Sequence, residues 1–492
     1  MTGKVTLGKL STGVPGLDVL LGGGLAEFSF NLIAGAPGSG KTTLAHQIMF
    51  ALAGPQRKAL FFTVLGEPPI KMLRYQQQYA FFDLAKVGVD IEYINLAEDL
   101  RSGDFSGVLE RITKEVESFS PGLVFVDSFR SVVQTARGGN EGIADLQQFV
   151  QELGTRMASW QATTFLIGEY MHPETEANPI LTVADGLVAL SQQVTENSVI
   201  RKARIVKMRG QAHLGGFHTF RINDRGIEIF PRILPTLAAD RHPGTPVDTN
   251  PRRVPTGTPG LDALLCGGLP AGHSALLVGP TGVGKTILAT HFLEEGARLG
   301  EKGVVATFEK GASRLRNARL ADLIQAGHVV AVEHRAIDLP VEELLDDLLT
   351  AIRQSGATRV VIDSLSELGL FLAPEYRNNF REAVFRILTS LAKSGVSVIV
   401  TLGLEDRFTD MRFSHSEISF LTDAVIALRY VEVDSRLQKL ITVVKVRGSG
   451  HSRELHAFEI TERGLEIGAA MPQYEGLLSG RPLQRRSDND VE

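Results

Sequence analysis

Two eight-residue runs have the residue types and spacing to cradle a phosphate. Gly35-Ala36-Pro37-Gly38-Ser39-Gly40-Lys41-Thr42 and Gly279-Pro280-Thr281-Gly282-Val283-Gly284-Lys285-Thr286 both read G-x-x-x-x-G-K-[ST]. Glycines at these spacings let successive backbone N–H groups wrap an anion without Cβ clashes. The helix that follows adds partial positive charge at its N-terminus. Lys41 and Lys285 are placed to reach terminal phosphates, and Thr42 and Thr286 to ligate Mg²⁺. Each run follows an apolar strand pattern and opens a helical one.

Further along, each half has an apolar strand ending in a carboxylate: Leu123–Asp127 and Val360–Asp363. Asp127 and Asp363 at such strand ends can hold Mg²⁺ through water. Phosphoryl transfer also needs a group to orient the attacking oxygen or take its proton. Glu67 stands 26 residues after Lys41, and Glu309 stands 24 after Lys285. Both fall at the end of the second strand pattern, beside the phosphate loop, as catalytic carboxylates or as solvated strand-end glutamates. Near the end of each half comes Lys-x-Arg-Gly: Lys207-Met208-Arg209-Gly210 and Lys445-Val446-Arg447-Gly448. On a strand the Lys and Arg share one face. Two such cations suit either a nucleotide phosphate on an adjoining subunit or salt bridges along an exposed edge.

The elements that position these residues repeat once. STGVPGLDVLLGGGL at 11–25 matches TGTPGLDALLCGGL at 256–269 with an offset of 244, which also carries Lys41 onto Lys285. The Lys-x-Arg-Gly runs lie at an offset of 238. Features recurring in one order with so little drift indicate a duplicated domain. We expect lobes at 1–235 and 253–470, a linker at 236–252 in a stretch with four prolines between 235 and 253, and a polar, mobile tail at 471–492. In each lobe short apolar strands alternate with amphipathic helices such as 341–355 and 381–394. That pattern predicts an α/β fold with a mostly parallel sheet covered on both faces.

Composition narrows the class further. Charged residues are 22%, the formal net charge is −5, and one cysteine, Cys266, excludes an internal disulfide or a cysteine-clustered zinc site. The charge balance gives no general pull toward nucleic acid or anionic membranes. No apolar stretch approaches the length of a membrane span, and the N-terminus has no signal-like apolar core, so a cytoplasmic protein is expected.

The STG-x-PGLD-x-LLGGG motif, the paired phosphate loops and the Lys-x-Arg-Gly strands together resemble the KaiC family, tandem RecA-like P-loop ATPases, over residues 5–470. The resemblance implies two RecA-like domains, ATP and Mg²⁺ as ligands, and a double-ring homohexamer with ATP between adjacent subunits. It implies that Lys207, Met208, Arg209, Lys445, Val446 and Arg447 contact a neighbour's ATP. His213 and His451 match the family's nucleotide-contact histidines. Asn223, Asp224 and Ser449 join the contacts, as do Gly38, Ser39, Gly40, Lys41, Thr42 and Thr43 in one lobe. Thr281, Gly282, Val283, Gly284, Lys285, Thr286 and Ile287 are their counterparts in the other. The family's autokinase phosphorylates a Ser-Thr pair in the second lobe; Ser419 falls on the Ser, and Phe420 replaces the Thr.

Other departures shape the expectation. The family has two adjacent glutamates on the second strand, where this chain has Gly66-Glu67 and Glu309-Lys310. Glu309 matches the autophosphorylation base, and in the first lobe either Glu67 suffices for hydrolysis or turnover is slow. No counterpart of the KaiA-binding tail follows residue 470, so independence of KaiA is expected, while a KaiB-like partner stays open. The expected protein is an ATPase and serine autokinase acting as a signalling or clock-type switch. The alternatives are a RecA- or RadA-like DNA-dependent ATPase and a nucleotide-binding scaffold with little turnover.

Overall fold

The computed structural model describes residues 8–63, 69–101, 105–127, 152–157, 159–168, 183–195, 198–232, 252–308, 317–334, 338–404, 418–433, 435–462, 464–472, 474–475 and 483–484. The chain divides into two compact units, Met1–Ile233 and Leu234–Glu492.

The first unit opens on a ribbon of β1 (Lys9–Leu10) and β2 (Leu25–Ala26). The main sheet comprises β3 (Phe30–Gly35), β4 (Ala59–Thr63), β5 (Ile91–Asn95), β6 (Leu123–Asp127), β7 (Thr163–Gly168), β8 (Gly186–Thr195), β9 (Ser198–Met208), β10 (His218–Asn223) and β11 (Gly226–Phe230). Their spatial order is β11-β10-β9-β8-β3-β7-β6-β4-β5. The strands from β8 to β5 are parallel, and β9 to β11 extend the edge as an antiparallel meander.

The second unit repeats this strand for strand. β12 (Arg253–Val254) and β13 (Leu269–Pro270) form the ribbon. The sheet has β14 (Ser274–Gly279), β15 (Gly303–Thr307), β16 (Val329–Glu333), β17 (Arg359–Asp363), β18 (Ser397–Gly403), β19 (Ala424–Val433), β20 (Arg436–Val446), β21 (His456–Thr461) and β22 (Gly464–Ala470). The order β16-β15-β17-β18-β14-β19-β20-β21-β22 matches that of the first sheet. These are tandem RecA-like α/β domains, each with a mixed, mostly parallel sheet. Within the segment expected to be a tail, β23 (Tyr474–Glu475) pairs with β24 (Leu483–Gln484). Tyr474 packs against the cluster of Val431, Val433, Leu440 and Met471.

Both sheet faces are covered, which explains the continuous apolar runs. On β3 the pleat sends Phe30, Leu32 and Ala34 into one cluster with the helix Phe105–Phe119, and Ile33 into another with the helix Lys41–Leu52. In the second unit the helices Val341–Ser355 and Phe380–Lys393 pack together over one face. Between them lies a buried ion pair: Arg386 donates to Glu342 at 2.7 Å, with side chains 5% and 3% exposed. Tyr376 Oη donates to the other Glu342 oxygen at 2.7 Å. Arg359 is also fully buried. It donates to Glu301 at 2.6 Å and to the carbonyls of Pro255 and Phe292 at 2.7 and 2.9 Å.

One buried group makes the first unit pH-sensitive. His46, on the helix after the first phosphate loop, is wholly buried, and its Nδ1–H donates to the Thr42 carbonyl at 2.7 Å. Burial pulls its pKa down from 6.5 to about 4, with the Thr42 bond opposing. The folded state therefore keeps His46 neutral while the unfolded chain protonates it. Stability from this group is fully present above pH 6.5 and is lost as pH falls toward 4. The shift corresponds to about 3 kcal/mol across that window. Thr290 occupies the matching position in the second unit and makes the same bond, Oγ1 to the Thr286 carbonyl at 2.8 Å. His46→Thr is therefore expected to flatten the fall in first-unit melting temperature between pH 7 and pH 5. An unchanged pH profile would show that other groups set it.

Candidate nucleotide-binding site

The phosphate loops follow directly from the strands that carry them. β3 and β14 are buried throughout and end at Gly35 and Gly279. Gly38 and Gly40 then adopt φ of +74° and +98°, and Gly282 and Gly284 adopt +79° and +118°. Side-chain-bearing residues are strained there, which is why the pattern needs glycine. Lys41 curls over its loop and donates to the Ala36 carbonyl at 2.9 Å; Lys285 donates to Gly279 and Pro280 at 2.8 Å each. Ser39 Oγ is buried in the first loop with no hydrogen-bond partner among the described residues. Thr43 is half-buried beside Thr42. Thr281 and Gly282 are exposed at the tip of the second loop, Val283 is buried beneath it, and Ile287 is half-buried against the core.

The metal-ligand candidates differ between lobes. Thr42 Oγ1 donates to Asp127 Oδ2 at 2.7 Å, so a hydroxyl and a carboxylate share one point beside the loop. In the second lobe Thr286 is exposed, and Asp363 takes its hydrogen bond from Thr401 Oγ1. Parallel register explains this. Asp127 lies opposite Ile167 on β7, which offers no donor. Ile362 pairs with Val400, so Asp363 faces Thr401. The first lobe's donor set, a hydroxyl with a carboxylate beside a lysine and a glycine cradle, fits magnesium with a triphosphate. Thr286, Thr401 and Asp363 supply the same atom types in the second.

Lys207 and Arg209 sit elsewhere. β9 runs antiparallel to β8, so its end lies beside the start of the parallel strands. The Arg209 N–H donates to the Asp185 carbonyl, and Asp185 N–H to the Phe30 carbonyl, both at 2.8 Å. Arg447, Asp423 and Ser274 repeat the arrangement at 2.8 and 2.9 Å. The phosphate loop leaves the opposite end of the same strand, five residues or roughly 17 Å away. Arg209 and Arg447 therefore cannot reach the phosphate loop of their own lobe.

The Lys-x-Arg stretch is not a plain strand. A register shift between Leu187 and Val188, and again between Val425 and Ile426, bulges out Val206 and Val444 just before each lysine. The strands stop at Met208 and Val446, leaving each arginine exposed beyond the end. Burial lowers the pKa of Lys207 and Lys445, the neighbouring arginine lowers it further, and Asp185 or Asp423 opposes. These two aspartates were absent from the candidate residues, although Asp185 and Asp423 lie at the same 238-residue offset.

At that same end lies Ser419, half-buried in the short turn Ile418–Phe420. Lys445 Nζ donates to the carbonyls of Ser419 and Thr422 at 2.8 Å each, and Arg447 to that of Phe420 at 2.6 Å. The Arg381 guanidinium lies 4.3 Å above the Phe420 ring. His213 and His451 are half-buried in the loops just beyond the two arginines, and Ser449 accepts from Arg253 at 2.5 Å. Asn223 and Asp224 separate from this group. Asn223 ends β10, which runs with β3, Asp224 follows in the turn, and the preceding Ile222 lies against Gly40 of the same lobe's phosphate loop. Glu67 and Glu309 lie outside the described residues.

Comparison with known proteins bears on the two-lobe organisation. A family model described as "ATPase: KaiC" matches residues 10–233 and again 254–471. The circadian clock oscillator protein KaiC of Rippkaea orientalis is 29% identical over 500 residues, covering 98% of this chain and 93% of that protein. Its namesake from Prochlorococcus marinus is 28% identical, covering 98% of this chain and 96% of its own. With both lobes matched and each carrying the phosphate loop of an ATPase, the chain belongs to the KaiC ATPase family.

Proposed function

We propose that this ATPase works as an assembly in which each nucleotide lies between two copies of the chain, and that the second-lobe nucleotide also donates its γ-phosphoryl group to Ser419 of the adjacent copy. The supporting observation is the roughly 17 Å between the two ends of each parallel sheet. The phosphate loop stands at one end, and the cations and Ser419 stand at the other. A site with all of these parts needs a second subunit, and head-to-tail repetition around a closed ring supplies one to every copy.

In this reading Lys41 and Lys285 neutralise the terminal phosphates within their own lobe. Thr42 with Asp127, and Thr286 with Asp363, hold magnesium, which when bound would offset charge on the transferring phosphoryl group. Lys207, Arg209 and His213, with Lys445, Arg447 and His451, contribute from the neighbour. Glu67 orients water in the first lobe. In the second, Ser419 Oγ bonds to the γ-phosphorus as the bond to the departing ADP oxygen breaks, and Glu309 takes the hydroxyl proton. Water at the same place gives hydrolysis.

A phosphate on Ser419 would add about −1.5 to −2 charges beside Lys445 and Arg447. Those side chains already grip the Ser419 turn, so the charge would alter how the subunit end is packed. That suits a signalling switch, the role that the relatives' clock name suggests. A KaiB-like protein is a candidate reader, and KaiA is not expected. The DNA-dependent alternative draws little support, because Lys202 and Arg204 lie 6.0 and 5.2 Å from the Phe217 ring of their own lobe.

Native mass spectrometry with and without MgATP, followed by peptide mapping, tests the proposal. A nucleotide-dependent ring with phosphate on Ser419 is expected, and Ser419→Ala should keep the ring and lose the phosphate. An assembled ring with no phosphate on any residue rejects transfer to Ser419. A chain that stays monomeric with MgATP rejects the shared site.

A further inference from the structure

The STG-x-PGLD-x-LLGGG motif supplies no atom to the proposed chemistry, yet its counterpart opens the second lobe. In the first lobe Asp18 accepts from the Thr12 N–H at 2.8 Å and from Thr12 Oγ1 at 2.7 Å, fixing the short helix Leu17–Leu20. Asp262 does the same for Thr256 at 2.7 Å for both donors. Beyond the helix the chain turns through Gly22, Gly23 and Gly24, all at positive φ. The loop after Arg209 is bonded onto this turn. Leu214 N–H donates to the Leu20 carbonyl at 2.8 Å, and Gln211 Nε2 donates to the carbonyls of Leu21 and Gly24 at 2.7 and 2.9 Å. The two backbones touch: a Cβ on Gly22 would stand 2.3 Å from the Ala212 oxygen.

The second lobe reaches the same arrangement with other side chains. Ser452 N–H donates to the Leu264 carbonyl at 2.8 Å. The carbonyls of Leu265 and Gly268, which match Leu21 and Gly24, accept from Arg253 Nη1 at 3.1 Å each. Arg253 comes from β12, not from the loop, and its Nη2 reaches Ser449 Oγ at 2.5 Å. Ser449 stands where the first lobe has Gln211, and Arg253 where it has Lys9. A serine is too short to cap the carbonyls, so the guanidinium caps them and grips the serine. Among the described residues Lys9 donates to the Gly22 carbonyl, at 2.5 Å.

We infer that the turn opening each lobe, Gly22–Gly24 in the first and Cys266–Gly268 in the second, is a positioning device for the loop that carries His213 or His451, with Gln211 and Arg253 as its positioning residues. Two unlike side-chain sets that tie one pair of carbonyls to one loop indicate that the tie itself is the common requirement. Its consequence for nucleotide binding rests on the shared-site reading above, because the loop sits at the sheet end that faces a neighbour's nucleotide in that reading.

The test uses the full chain with MgATP. In Gln211→Ser, amide exchange across 210–217 is expected to rise about tenfold, for loss of two hydrogen bonds. The apparent KM for ATP should rise several-fold with kcat little changed. Adding Lys9→Arg rebuilds the second lobe's arrangement and should reverse both effects, a rescue that a merely weakened fold would not give. Unchanged exchange in Gln211→Ser, or a rise that Lys9→Arg leaves in place, overturns the inference. The reciprocal set, Arg253→Lys alone and then with Ser449→Gln, repeats the reading if the first-lobe variants fold poorly. Arg209→Ala, measured in parallel, separates the two claims. If Arg209→Ala, placed in a Lys285→Ala chain so that turnover reports the first lobe, keeps full turnover while Gln211→Ser loosens the loop, the shared nucleotide site fails and the positioning role stands.

Discussion

Subunits carrying Lys41→Ala and subunits carrying Arg209→Ala, each expected to be inactive at the first-lobe site, should regain ATP hydrolysis when mixed and reassembled. Both carry Lys285→Ala as well, so that turnover reports the first lobe. The reason is the position of the parts. Lys41 lies over the phosphate loop at 2.9 Å from the Ala36 carbonyl, while Arg209 is tied to Asp185 at the far end of the sheet. An interface that takes its loop from the Arg209→Ala subunit and its arginine from the Lys41→Ala subunit has every native group. An arginine supplied from a neighbour in phosphoryl transfer is worth about 10³–10⁵ in kcat, so even a minority of restored interfaces is measurable. Steady-state turnover against mixing ratio is the measurement. No recovery at any ratio would falsify the shared site, and full activity in Arg209→Ala alone would remove the arginine from catalysis.

The second large effect is on stability. Glu342→Ala leaves the Arg386 guanidinium buried without its carboxylate and removes the acceptor of Tyr376. Breaking a buried pair from one side costs about 3–5 kcal/mol. For a unit of this size that lowers the melting temperature by roughly 10 °C. Replacing both partners by apolar residues of similar volume, Glu342→Met with Arg386→Leu, should recover most of the loss, because no charge is left stranded. Calorimetry of the two variants decides it. A double variant as unstable as the single would mean that the site needs the charges themselves and not merely their balance.

The phosphate loops were legible because their chemistry is local. Each needs glycines, a lysine and a threonine within eight residues, and the strand before and helix after announce themselves by apolar pattern. The duplication was legible for the same reason, and it carried the family and the RecA-like fold with it. What escaped the sequence was set by register and by contacts across long separations. Thr401 partners Asp363 because β17 and β18 align Ile362 with Val400, and no spacing rule links residues 38 apart. Asp185 meets Arg209 only because a bulge at Val206 resets an antiparallel pairing. Alternation alone put Lys207 and Arg209 on one strand, whereas the strand ends at Met208. The opening motif was recognised as a signature, but its purpose became visible only when Gln211, 190 residues after Leu21, was seen bonded to it. Glu67 and Glu309 lie outside the described residues.

The distance between the two ends of each sheet also bears on inheritance. If each interface takes its loop from one subunit and its arginine from the next, a damaged subunit spoils two sites, one on either side. A cell expressing equal amounts of intact protein and of a copy lacking both Lys41 and Arg209 would keep about a quarter of its first-lobe interfaces, not half, when subunits mix freely in closed rings. Lesions of this kind would then act dominantly, and the severity of a mixed population would report how readily rings exchange their members.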